Sequence, residues 1–289
     1  MRTKEEMFDL ILGVAKSDER IRAVYMNGSR ANPNVSEDIY QDYDIVYVVT
    51  ETKSFLENKS WISVFGEVAI VQEPDDNDIV LEVKKDFNRS YTWLILFKDG
   101  NRLDLKIQIK EEMFEKYTSD SLTVPLLDKD NCLPNIPLSN DSDYHVKRPT
   151  YRQYRGCCNE FWWCLNNVAK GIAREQLSYA MWMYYVIVHD MLEKMIDWYI
   201  GSKNSFSVSV GMRGKYYKKY LPKELYVMYE KTYCDSNYEN LWKAIFTACE
   251  LFSIAANSVA QYFEYKYCLA EEENMIDYLI KVKDNLLNI

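Results

Sequence analysis

Residues 27–48 read NGSRANPNVSEDIYQDYDIVYV, and this stretch decides how the chain folds. It follows IRAVYM (21–26), a short strand, and it leads into the β-branched run Asp44–Thr50 (DIVYVVT), a buried strand. Gly28-Ser29 therefore sits directly after a strand. Glycine there lets the backbone pass close to a ligand, and a helix starting next would point free N–H groups at an anion such as phosphate. Asp42 and Asp44 lie at i and i+2 where the second strand begins, so their side chains share one face of a sheet. Two carboxylates side by side repel unless a cation sits between them. Mg²⁺ suits them, because it takes oxygen ligands from a few carboxylates together with substrate phosphates. The plainer reading of either half alone is an empty turn and a solvated strand edge.

Further along, YTWLILFK (91–98) and NRLDLKIQI (101–109) flank Asp99-Gly100. Asp-Gly between two alternating runs signals a hairpin. Asp104 lies within the second arm, between Leu103 and Leu105, and must turn from the core or toward a cation. If this arm neighbours the Asp42/Asp44 strand, three acids converge, the arrangement with which two metal ions grip a nucleotide triphosphate. FGEVAIVQ (65–72) is another strand, and Met7, Leu10, Ile11 and Val14 mark a helix over 4–17.

After about residue 120 the character changes. Pro125, Pro134, Pro137 and Pro149 fall in 122–150 with many Asn and Asp, which reads as a linker. Helices are expected near 152–170, 174–200, 222–233, 237–265 and 269–287, with Gly201 stopping the second. The fold class is α+β: a mixed sheet with helices over residues 1–140, then an all-helical bundle over 145–289. Glu160, Trp163, Asn167 and Arg174 fall within about 60° of each other at 100° per residue, a polar stripe bearing one indole. Of Trp162 and Trp163, one should be core. Lys215, with Lys218 and Lys219, follows GMRG, and basic side chains beside glycines suit phosphate; Lys147, Arg148, Arg152 and Arg155 flank the linker and suit pyrophosphate or solvent. His189, on an amphipathic helix, reads as a packed residue.

Composition narrows the function. The 289 residues are 48% hydrophobic and 15% aromatic, including 24 Tyr and 7 Trp, which excludes disorder. The longest apolar run, Tyr179–Val188, is too short to span a bilayer, and the acidic N-terminal segment is unlike a signal peptide. The expectation is a cytoplasmic monomer with no membrane partner. A net charge of −9 argues against a nucleic-acid partner and for a cationic small molecule. Seven Cys without a CxxC pair, and only two His, make a zinc site unlike this chain and point to reduced, buried thiols.

The combination of strand, Gly28-Ser29, Asp42-x-Asp44 strand and later Asp104 resembles the nucleotidyltransferase superfold of polymerase β type. Within it, NGSRANPN, QDYDIVYVV and FKDGNRLDLKIQI, with NEFWWCLNNVAKGIAREQLSYA and HDMLEKMIDWYIG, are similar to the aminoglycoside 6-adenylyltransferases that modify streptomycin. The resemblance covers most of the chain. It implies transfer of AMP from ATP to a streptomycin hydroxyl with release of pyrophosphate. Gly28, Ser29, Arg30 and Lys215 would bind ATP. Asp42, Asp44 and Asp104 would be catalytic and hold two Mg²⁺ ions. Glu160, Trp163 and Asn167 would contact the drug, whose guanidinium groups call for acids and aromatic faces. Alternatives are a different acceptor (another antibiotic, a protein hydroxyl or an RNA end) and a nucleotide-binding module without turnover.

Overall fold

The computed structural model describes residues 1–77 and 85–284. The chain divides into two compact units, Met1–Asp143 and Tyr144–Ile289. The first begins with α1 (Lys4–Ser17), started by a reciprocal cap in which Thr3 Oγ1 accepts from the Glu6 amide and Glu6 accepts from the Thr3 amide. Met7, Ile11 and Ala15 form its buried face. Next come β1 (Ile21–Met26), β2 (Tyr43–Val49), α2 (Lys53–Glu57), β3 (Val68–Gln72), α3 (Pro74–Asn77), β4 (Ser90–Phe97), β5 (Arg102–Ile109), α4 (Lys110–Lys116) and β6 (Val124–Asp128).

Among the described residues the strands form one six-stranded sheet, ordered β3-β4-β5-β2-β1-β6. The β4–β5 hairpin turns at Asp99-Gly100 as its Asp-Gly signal predicts, with Gly100 at φ 89. β2 and β5 pair in parallel at the centre; the other pairings are antiparallel. One sheet face carries Tyr43, Ile45, Tyr47, Leu103, Leu105 and Ile107 into the main core beneath α1. On the other face Tyr25, Val46 and Val48 pack on Met113 and Tyr117. Asp44 and Asp104 also lie on this second face, beyond the stretch that α4 covers.

β6 corrects the linker reading of 122–150. Val124–Asp128 pairs antiparallel with β1 as an edge strand. Pro125 hid it, yet proline is tolerated at an edge because one side of such a strand needs no donor. Asp128 then accepts from the amides of Cys132 and Leu133, tying the proline-rich return to the sheet.

The second unit is helical: α5 (Tyr151–Ala173), α6 (Leu177–Trp182), a π-helical turn (Met183–Val188), α7 (His189–Lys203), α8 (Tyr217–Tyr220), α9 (Lys223–Lys231), α10 (Tyr238–Phe263) and α11 (Leu269–Lys283). Residues 285–287 of the last expected helix lie outside the described residues. Phe161 of α5 stacks on Phe252 of α10 at 3.8 Å. Buried tyrosines satisfy their hydroxyls on backbone carbonyls: Tyr154 donates to Ala256 at 3.0 Å and Tyr184 to Thr232 at 2.8 Å. The seven cysteines are free thiols; burial pushes that of Cys158 up to about 12, which keeps it protonated and unreactive. No helix among the described residues is long and apolar enough to cross a membrane.

Two helix readings need correction. The helix expected over 174–200 starts at Leu177, after Glu175 breaks α5 at φ 56, and passes through the π turn. Gly201 does not stop it, since α7 continues to Lys203. Its lack of a side chain serves packing instead, because a Cβ there would lie 2.6 Å from the Phe206 ring and 3.1 Å from Val146 Cγ1. Gly201→Ala should therefore cost about 1–3 kcal/mol of stability by overpacking. Chemical denaturation measures this, and an unchanged midpoint would show that the Phe206 ring yields freely.

Candidate functional site

The sheet register builds the site. Asp44 is the direct parallel partner of Asp104, on strands about 4.8 Å apart. Asp42 stands two residues before Asp44, just ahead of β2. Arg102, two residues before Asp104, shares its face and binds it through two parallel hydrogen bonds, Nε to Oδ1 at 2.8 Å and Nη2 to Oδ2 at 2.7 Å. The same guanidinium places Nη1 3.4 Å from Asp42 Oδ2. Asp44 is the deepest of the acids. Burial first, then the charges of Asp104 and Asp42, push its carboxyl up to about 6. β5 thus neighbours β2 and brings Asp104 beside Asp44, and the Arg102 guanidinium lies between Asp104 and Asp42.

The turn after β1 fits against this cluster. Asn27 donates its amide to the Asp44 carbonyl at 2.9 Å and its side chain to Thr123 Oγ1 at 2.7 Å. Gly28 follows at φ 75, and a Cβ on it would lie 2.0 Å from Asp44 Oδ2. Only glycine lets the carboxylate rest against the backbone. The helix start expected beyond it is a single 3₁₀ turn, Ser29–Ala31, so the amides there are not those of a helix N-terminus. Arg30 stacks over Tyr43 at 3.9 Å and donates to the carbonyls of Gln41 and Asp42 at 2.7 and 3.1 Å. It fixes the backbone that carries Asp42.

In the helical unit Trp162 is core, its Nε1 donating to Tyr267, whereas Trp163 is 65% exposed. Trp163 lines a groove of about 440 Å³ between α5 and α11, with Asn159, Asn166, Asn274 and Tyr278. Glu160 and Asn167 do not line it. Glu160 lies in the middle of α5 and accepts from the Cys164 thiol, and Arg174 falls just past the helix end. Lys215 lies over the Tyr216 ring, Arg148 over that of Phe206, and Arg155 pairs with Glu271. His189 is buried, its Nε2 2.9 Å from Thr232 Oγ1 and its Nδ1 3.4 Å from Glu193, as expected of a packed residue.

The family model described as streptomycin adenylyltransferase matches residues 1–282. The chain belongs to that family. Curated relatives named aminoglycoside 6-adenylyltransferase include those of Campylobacter jejuni, 38% identical over 98% of this chain and 96% of the relative, and of Bacillus subtilis strain 168, 38% identical over 92% and 93%. The Staphylococcus aureus relative is 34% identical over 92% of this chain and 94% of its own. The protein is accordingly an enzyme, a nucleotidyltransferase.

For an adenylyltransferase the donor set is apt. Three carboxylates close together at one sheet face, one of them resisting ionisation first because it is buried and then because of the other two, are all oxygen donors of the kind a divalent cation takes. Among the described residues no group of three or more such side chains is arranged to hold a metal ion; Arg102 draws the carboxylates of Asp104 and Asp42 onto itself. Sequence reasoning missed Arg102. Its signal was position alone: a basic residue two before a strand acid shares that acid's face.

The strain on Asp44 has a measurable consequence. A carboxyl raised in the folded state binds a proton that the unfolded chain has already lost, so stability falls as pH rises from about 4 to about 6. Above that range the burial penalty is fully expressed. Metal-free Asp44→Asn should be more stable than the parent at pH 8, by about 1 kcal/mol once screening by Arg102 and solvent is allowed for, and should lose the excess slope below pH 6. Denaturation across pH 4–8 measures both. If Asp44→Asn were instead the less stable protein at pH 8, the ionised carboxylate would already be well compensated.

Proposed function

We propose that the enzyme transfers AMP from ATP to a hydroxyl of an aminoglycoside, with streptomycin the first candidate, in a Mg²⁺-dependent reaction. The observation that carries this reading is the register pairing of Asp44 with Asp104, with Asp42 joined to Asp104 through one guanidinium. Membership of the streptomycin adenylyltransferase family and the names of the relatives supply the substrates.

Asp42, Asp44 and Asp104 would hold Mg²⁺, which when bound neutralises charge on the phosphates and polarises the reacting phosphorus. Gly28 gives the Asp44 carboxylate room against the backbone, and Ser29 offers a hydroxyl and an amide at the same turn, to which the nucleotide phosphates would approach. Arg30 holds the Asp42 backbone still. In the transfer, the acceptor oxygen bonds to the α-phosphorus as the bond to the bridging oxygen breaks. Pyrophosphate departs with that electron pair, and the acceptor's proton passes to a carboxylate oxygen of the cluster, that of Asp104 or of another of the three acids. In the helical unit the exposed indole of Trp163 offers a π face to a guanidinium or ammonium, and Glu160 on the same helix offers a charge.

Asp42→Asn, Asp44→Asn and Asp104→Asn should each lower pyrophosphate release with streptomycin by about a hundredfold or more, while circular dichroism stays unchanged. Full activity in any of them would remove that residue from the site. Trp163→Ala should raise the KM for streptomycin up to about tenfold without changing ATP binding; an unchanged KM would move drug recognition elsewhere. Kanamycin, lincomycin and a no-acceptor control beside streptomycin, with the product weighed by mass spectrometry, identify the acceptor. Release with none of them, ATP still being bound, would overturn the aminoglycoside reading and leave the nucleotidyltransferase.

A further inference from the structure

We propose that Arg102 is a resident counter-ion that a divalent metal displaces from the acid cluster, and that the guanidinium so released becomes a ligand for the nucleotide phosphates. The inference rests on the reading of Asp42, Asp44 and Asp104 as metal-holding.

Three carboxylates brought close together by strand register repel one another unless a cation sits among them. In the protein by itself that cation is Arg102. Its fork spends both oxygens of Asp104, at 2.8 and 2.7 Å, and its third nitrogen stands 3.4 Å from Asp42. A divalent ion drawn to the same carboxylates would meet a positive charge already seated on them. The two cations repel, so occupancy by one weakens the other.

Arg102 stands at the exposed rim of the cluster. It follows the Asp99-Gly100 turn at the first position of β5, and its side chain is 44% exposed, against 18% for Asp104. The ion pair can therefore open toward solvent without disturbing the core. Once displaced, the guanidinium keeps its charge at any physiological pH, and its backbone remains two residues from Asp104. It is then a planar, forked donor at the rim of the acid cluster, the form that pairs bidentately with phosphate oxygens. One residue thus supplies the charge balance of the empty site and an anion ligand of the filled one. A purely structural clamp would act in only one of these states.

The two roles predict opposite signs for the same substitution. Binding of Mn²⁺ alone is followed by electron paramagnetic resonance, and binding of α,β-methylene-ATP at saturating Mn²⁺ by calorimetry. The proteins are the full-length parent, Arg102→Ala, Arg102→Lys and Asp44→Asn, each checked for folding by circular dichroism. Arg102→Ala should bind Mn²⁺ about three- to tenfold more tightly. It should bind the nucleotide analogue about tenfold or more weakly. Arg102→Lys, keeping charge without the fork, should stay near the parent for metal and fall between for nucleotide. Mn²⁺ affinity that is unchanged or lower in Arg102→Ala overturns the displacement. Nucleotide affinity that is unchanged overturns the second role. Loss of Mn²⁺ binding in Asp44→Asn alongside either result would show that the metal reading stands while this inference fails. No Mn²⁺ binding in the parent or in Arg102→Ala would overturn both.

Discussion

The first unit depends on one crowding: the Asp44 carboxylate is held between the α-carbon of Gly28 and its parallel neighbour Asp104. A carboxylate in that position is costly. It is largely withdrawn from water, and the charges that act on it most strongly are the negative ones of Asp104 and Asp42. The surrounding residues follow from this cost. Gly28 has no side chain because any would occupy the carboxylate's place. Arg30 spends its guanidinium on backbone carbonyls and on the Tyr43 ring, so the strand start cannot relax away from the crowding. Arg102 returns positive charge to the outer two acids. A fold selected for stability alone would place apolar side chains at these strand positions, as it does at Ile45 and Leu105.

How much of this is legible in the sequence follows from range along the chain. The Asp99-Gly100 hairpin, the strand after Asp42 and the helix α1 depend on neighbours a few residues apart, and local rules find each of them. The meeting of Asp44 with Asp104 is legible only as a condition, because nothing local says that β5 lies beside β2. Arg102 is invisible for a related reason. A basic residue at a strand start is ordinary until the partner strand brings a second acid within its reach. β6 is hidden by Pro125, which local rules count against a strand and an edge position tolerates. Gly201 misleads in the opposite direction: a glycine near a helix end looks like a stop, and the Phe206 ring that needs its bare α-carbon is a feature of packing.

The helical unit solves a different problem with different residues. Its core is rich in tyrosine, and a buried phenol must place its hydroxyl. Tyr154 and Tyr184 do so on backbone carbonyls, and Tyr229 on Glu193, which also faces His189. Each such bond fixes the rotation of one helix against another, which greasy packing alone leaves loose. Tyr217 donates to Asp197, yet burial still pushes that carboxyl up to about 6, so a hydrogen bond alone does not offset a withdrawn charge. The contrast with Asp44 is instructive. Asp197 has a neutral donor aimed at it, whereas the sheet acids have a cation that is only partly buried and free to leave.

That difference separates a structural acid from a working one. A neutral, buried donor such as Tyr217 cannot be exchanged without opening the core, so Asp197 is committed to the fold. The partners of Asp42 and Asp104 can be exchanged at the surface, at the modest cost of a half-exposed ion pair. An acid cluster meant to take up and release a charged ligand in every cycle needs a partner of this second kind. It must be strong enough to hold the outer two carboxylates together when the ligand is gone, and weak enough to yield when the ligand arrives.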